Sequence, residues 1–159
     1  TVIGTVGSPA KAELARAHGC DHVINYATEN FTQRVRDITN GEGVAVVYDG
    51  VGKDTFTGSL DSLRPMGMMV SYGNASGPVP PVDLILLSQK GSLFITRPTL
   101  MTYTAQRADL LELGRELFDR VASGQLRIEV NQRYALRDAA QAHRDLEARK
   151  TTGSTILLP

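Results

Sequence analysis

Apolar positions along this chain alternate between two spacings. Short strand-like runs at residues 2–6, 22–25, 44–48, 66–72, 92–96, 126–130 and 154–158 read as strands. Between them the apolar residues recur at helical spacing. Phe31, Val35 and Ile38 share one face, and Leu110, Leu113, Leu117 and Val121 mark the plainest helix, 107–122. Further helices are predicted over 10–18, 54–63, 82–89 and 138–149. The punctuation agrees with this reading. Ser8 is a good N-cap, Pro9 fits a first helical turn, and Gly19 and Asn40-Gly41 stand where helices end.

Strands alternating with helices imply βαβ units, hence an α/β fold with a doubly wound, mostly parallel sheet. The continuous run Val44-Ala45-Val46-Val47-Tyr48 is expected to be buried on both faces. Ligands of such sheets lie beyond the carboxyl ends of the strands. That directs attention to Gly7-Ser8, Asn25-Tyr26, residues 49–52 and residues 72–76.

Composition narrows the classes. The chain has 159 residues and a formal net charge of +0, with 42% hydrophobic and 21% charged residues. These values fit one globular domain, or one plus a piece of another. Balanced charge argues against nucleic-acid binding through a basic face. Apolar runs such as 84–87 fall far short of the roughly 20 residues of a membrane span, so no membrane partner is expected. One cysteine, Cys20, forms no internal disulfide and holds no structural zinc by itself. With no secretory signal in view, a cytoplasmic setting is expected. The chain opens directly in an apolar strand, which is read as a cut.

The chemistry-bearing residues are few. The dinucleotide motif G-x-G-x-x-G is absent: Gly50-Val51-Gly52 begins like it, but the third glycine would fall at Thr55, so it reads as a tight turn. NAD-binding domains usually end the relevant strand in an acid that bonds the ribose. Here Gly7-Ser8 stands there, with Lys11 on the next helical turn, which removes repulsion toward a 2′-phosphate and adds a charged donor. The plainer alternative is that Ser8 only caps a helix and Lys11 is a solvated lysine. His18, His22 and His143 lack metal spacing, and His143, on a stripe with Leu136 and Leu146, is expected to be packed. Asp49 could be a general base, but a strand-end Asp before Gly is more often a turn former. No Ser-His-Asp context or G-x-S-x-G elbow is present.

Several strings occur in an order that is itself informative: 4–8, Lys11, Gly19, 23–26, 47–52, 71–77, 90–93, 96–98, 139–147 and 153–154. Together they resemble the carboxyl-terminal half of the NADPH:quinone oxidoreductases, the ζ-crystallin-like, zinc-independent branch of the medium-chain dehydrogenase/reductases. The resemblance implies a Rossmann-like sheet lacking its first strand and Gly-rich turn, with a partial NADP-binding domain over 1–130. Residues 131–159 would return to a substrate domain.

It further implies that NADPH is the cofactor, with Lys11, Tyr26 and the adjacent Gly7 and Ser8 around its 2′-phosphate. Val51, Tyr72, Gly73 and Ser76 would border the nicotinamide, with Tyr72 standing where relatives are expected to carry phenylalanine, and Arg149 would reach the cofactor. The implied reaction is hydride transfer to a quinone or conjugated enone, with a homodimer formed through the edge strand 92–96. The alternatives are an NADP-binding module without catalysis, an enoyl reductase of the same superfamily, and an S-adenosylmethionine-dependent methyltransferase, which Lys11 and Tyr26 argue against. In the strand order 3-2-1-4-5-6 the run 2–6 would face an empty position beside 44–48, so the chain is expected to bind NADPH weakly and not to turn over.

Overall fold

Residues 3–6 carry the β-branched and small side chains that suit a pleated ladder, and they open the first βαβ unit. The computed structural model describes residues 1–159. β1 (Ile3–Val6) leads through α1 (Pro9–Ala17) to β2 (His22–Asn25), and the two strands pair in parallel from Ile3↔His22 to Val6↔Asn25. α1 begins as the sequence dictates. Ser8 Oγ accepts the Lys11 amide at 3.4 Å, Pro9 occupies the first turn, and Gly19 follows the helix at φ +87°. α2 (Phe31–Ile38) is capped by Asn30, whose Oδ1 accepts the Gln33 amide at 3.1 Å.

β3 (Val44–Asp49), α3 (Phe56–Asp61), β4 (Leu63–Ser71), α4 (Ile85–Gln89) and β5 (Phe94–Thr96) build a second parallel sheet in the order β3-β4-β5. Its core is Phe56, Leu60, Leu63, Met69 and Leu93, with Val44, Val47, Leu86, Leu87 and Ile95 packed against it. Met69 has no exposed surface, so truncating it to Ala is expected to cost about 3 kcal/mol. Arg36 on α2 fastens this region. Its Nε and Nη2 donate to Asp61 O at 3.1 and 2.6 Å, Nη2 also to Leu63 O at 2.9 Å, and Nη1 to Gly41 O and Glu42 O, each at 2.9 Å. One planar guanidinium thus satisfies carbonyls at the ends of α2 and α3 and at the start of β4.

The expectation that 44–48 is buried on both faces is overturned: Tyr48 is 73% exposed and Val46 40%. A bulge between Val44 and Val46 puts Val44 and Val47 on the side where α3 and α4 pack, and the other side chains turn to the uncovered face. β1 and β3 belong to different sheets, do not pair, and each keeps one edge without a strand partner.

The remaining differences are local. β4 begins at Leu63 rather than residue 66, because Leu63 pairs with Val44. Met66 then kinks at φ +58° and its amide bonds Gly91 O at 2.8 Å. α3 and α4 are shorter than predicted, and the short helix α5 (Leu100–Tyr103) was not foreseen.

Residues Thr1–Thr102 form one compact unit and Tyr103–Pro159 another. The second holds α6 (Arg107–Ala122), β6 (Val130–Ala135), a 3-10 turn at Leu136–Asp138, α7 (Ala139–Glu147) and β7 (Ser154–Leu158). β6 and β7 pair in parallel, and Tyr134 on β6 donates its hydroxyl to Asp145 Oδ2 on α7 at 3.0 Å. The strand predicted over 126–130 starts only at Val130, because its partner begins at Ser154 and offers no ladder to earlier residues. His143 is exposed, not packed; Ala142 is the buried residue of that helix.

Candidate functional site

Two groups of residues gather at carboxyl ends of strands in the first unit. At the end of β1 and β2, the Tyr26 amide continues the ladder to Val6 O at 3.0 Å, which sets the tyrosine beside Gly7. The contact is close: a Cβ on residue 7 would lie 2.7 Å from the Tyr26 hydroxyl oxygen, so the ring occupies the space that glycine leaves. Ser8 caps α1, and half-buried Lys11 sits on its first turn. The neighbouring acid, Glu29, is already engaged, accepting the Asn25 amide at 2.9 Å and Arg34 Nε at 3.0 Å. A lysine, a phenol and a helix start with no acid in its first turn can receive an anion.

The second group, at the end of β3 and β4, is built around a buried carboxylate. Asp49 Oδ1 accepts the Val51 and Gly52 amides at 2.8 and 3.0 Å, and Oδ2 accepts Thr55 Oγ1 at 2.8 Å and Ser59 Oγ at 2.7 Å. Burial alone would raise its pKa. The Gly52 amide, the Ser59 and Thr55 hydroxyls and the Val51 amide together outweigh burial and hold it below the ordinary 3.8. With both oxygens occupied and the residue 4% exposed, Asp49 is a turn former and not a general base.

The loops after β3 and β4 are then joined to each other. Ser76 donates its amide and its hydroxyl to Val51 O, each at 2.8 Å. Ser76 Oγ accepts the Asp54 amide at 3.0 Å, Ala75 N reaches Gly50 O at 3.2 Å, and Lys53 N reaches Gly77 O at 3.1 Å. The glycines permit this closeness. A Cβ on Gly73 would lie 2.3 Å from Gly50 O, and one on Gly52, at φ +90°, 2.6 Å from Gly77 O. Gly50-Val51-Gly52 is therefore a turn for loop packing. The Tyr72 ring lies over Gly50, within 3 Å of where a Cβ would stand.

The structure thus brings Gly7, Ser8, Lys11 and Tyr26 to one strand end, and Val51, Tyr72, Gly73 and Ser76 to another. Arg149 belongs to the second unit, in a left-handed turn after α7 at φ +57°. Two contributors escaped the sequence reading. One is Asp49 as an anchor. The other is Arg97, whose Nη1 donates to Ser71 O at 3.0 Å and Gly73 O at 3.3 Å and grips the end of β4 from beyond β5. The available signal was an arginine standing directly after a strand and before Pro98.

Comparison with known proteins follows the same lines. Residues 18–157 match the model of the family described as zinc-binding dehydrogenase. A quinone oxidoreductase of Pseudomonas aeruginosa is 55% identical over 99% of this chain and 49% of its own length. A 2-haloacrylate reductase of a Burkholderia species is 51% identical over 100% of this chain and 48% of its own. The crystal structure of the Escherichia coli quinone oxidoreductase complexed with NADPH superposes with a TM-score of 0.95 at 49% identity, covering 99% of this chain and 49% of that one. The chain spans about half the length of the curated relatives it matches. The family description names zinc, but no three His, Cys, Asp or Glu side chains lie together so as to hold a metal ion, and these residues do not fit one. No helix is long and apolar enough to cross a membrane.

Proposed function

Because this chain belongs to the zinc-binding dehydrogenase family, with the Rossmann-like fold of its quinone oxidoreductase neighbours, we propose that it is the NADPH-binding part of a zinc-independent quinone reductase. The observation that carries the reading is the corner formed by Gly7, Tyr26 and Lys11, where a strand end that often carries an acid offers a phenol and an ammonium instead. Lys11 and Tyr26 hold the 2′-phosphate, with Ser8 keeping the start of α1 in place beside it. Val51 and Tyr72 present an apolar and aromatic surface on which a flat ring rests. Bound NADPH supplies the hydride, which passes from nicotinamide C4 to the acceptor. The chain contributes binding and orientation, and Asp49, with both carboxylate oxygens occupied, is not available for acid–base work. β5 ends its sheet and exposes Phe94, which supports pairing with a second copy along that edge.

A second reading of the acceptor has its own support. The 51% identity to a 2-haloacrylate reductase favours an electron-poor alkene, where the hydride adds to a carbon conjugated with a carbonyl.

Fluorescence titration with NADPH and NADH, repeated on Lys11→Ala, tests the cofactor assignment. NADPH is expected to bind at least about tenfold tighter than NADH, with that margin lost in the variant. Equal binding of the two cofactors by the unaltered chain would overturn it.

A further inference from the structure

Neither the family's description nor the resemblance gives Asp49 a role, yet more of the second group depends on it than on any residue expected to touch a ligand. Its four donors come from two directions, two amides of its own turn and two hydroxyls at the start and on the first turn of α3. With the Gly52 amide held by Asp49, the Val51 carbonyl of the same trans peptide points away to Ser76, where it accepts both the amide and the hydroxyl, and with the Val51 amide held the Gly50 carbonyl likewise points to the Ala75 amide. The Tyr72 amide bonds Asp49's own carbonyl at 2.9 Å, and the Tyr72 ring covers Gly50. The connections made by Gly50 O and Val51 O to the β4 loop therefore pass through peptides that the carboxylate has oriented.

We propose that Asp49 is a positioning residue, a buried four-way anchor that sets Val51 and Tyr72 as one rigid surface for the nicotinamide without touching it. As a role in hydride transfer this rests on the proposed function, but the latch is a property of the chain without cofactor. Asparagine is the informative substitution. Its Oδ1 accepts the Val51 and Gly52 amides as before, and its Nδ2 donates to Thr55 and Ser59, whose hydroxyls can rotate to accept. Alanine leaves two amides and two hydroxyls without their acceptor.

The test is an amide NMR comparison of Asp49→Ala and Asp49→Asn, well below the unfolding temperature. It is made in the chain joined behind the upstream half of the Pseudomonas aeruginosa relative, with and without saturating NADPH. Asp49→Ala is expected to move or broaden the Ala75 and Ser76 amides and the Tyr72 ring signals, none of which it contacts through its side chain. Ile24 and Met69 stay in place, and Asp49→Asn returns the moved signals. Bound-NADPH emission at saturation is expected to fall by about half in the alanine variant, while Kd changes less than about threefold. A purely structural residue would lower thermal stability and leave native-state shifts and emission alone. Unmoved Ser76 and Tyr72 signals, or unchanged emission, overturn the proposal. Should Asp49→Ala not fold, Thr55→Val removes a single donor and is read on the same signals. If the shifts appear but NADPH is not preferred over NADH, the latch stands and the cofactor assignment falls.

Discussion

The two strand-end groups are constructed in opposite ways. At β1 and β2 the candidate residues are exposed or half-buried, and they adjoin one another through the Ser8 cap on the Lys11 amide and the close approach of Gly7 to Tyr26, which is 45% exposed. At β3 and β4 a carboxylate that is 4% exposed organises two loops through a dense set of hydrogen bonds. The difference matches what each end is proposed to do. A phosphate is held by charge, which acts over several ångströms and tolerates movement. A hydride donor needs its ring placed to a fraction of an ångström, and only a bonded framework gives that. On the proposed function, affinity and geometry are set at the ends of two separate sheets.

Substitutions can pull the two apart. The largest effect is expected from Asp49→Ala, with a loss of about 3 kcal/mol in chemical denaturation, since hydrogen bonds to a buried charge are removed and their donors orphaned. The same carboxylate gives a pH signature. Its folded pKa is depressed below 3.8, so its stabilisation is present above that value and is lost as pH falls through the folded pKa. Stability of the parent should fall more steeply in acid than that of Asp49→Asn, and Asp49 should add no limb to a pH–rate profile at neutral pH.

Next comes Lys11→Ala. It should weaken NADPH by about tenfold in titration while leaving stability within about 0.5 kcal/mol. Raising salt should weaken NADPH more than NADH, because the Lys11 corner is open to screening. The smallest effect is expected from Tyr72→Phe, less than about twofold in affinity or turnover, because the ring over Gly50 and not its hydroxyl makes the surface. A large loss there would show that the two groups are less distinct than the contrast claims.

Much of the fold was legible because local chemistry and tertiary packing agree in it. β2, α2, α6 and β7 fall on their predicted residues, and Ser8 and Gly19 act as the caps their types imply. The failures lie where a partner decides. Residues 126–129 are as apolar as a strand, but no ladder reaches them. Tyr48 and Val46 sit in a run that looks doubly buried, yet only one face of their sheet is covered. For the proposed site, the strand ends at Gly7-Ser8 and Asn25-Tyr26 and the place of Lys11 on the next helical turn were legible in the α/β pattern, while the joint assignment of Lys11 and Tyr26 to a 2′-phosphate came through resemblance, because a lone lysine and a lone tyrosine carry no spacing signal. Asp49 was visible only as a turn former, since its bonds to Thr55 and Ser59 depend on the angle at which α3 leaves the loop.

Every ladder in this chain joins strands that are neighbours in sequence: Ile3 pairs with His22, Val44 with Leu63, Met68 with Phe94, and Val130 with Ser154. Each pairing closes a loop of only about twenty to twenty-six residues, and the entropy of closure grows slowly with such lengths. Parallel sheets are usually slow to assemble because their contacts are distant along the chain. Here a ribosome releasing residues in order would expose each strand shortly before its partner, so the modules can form in sequence during synthesis, each before the next has left the exit tunnel.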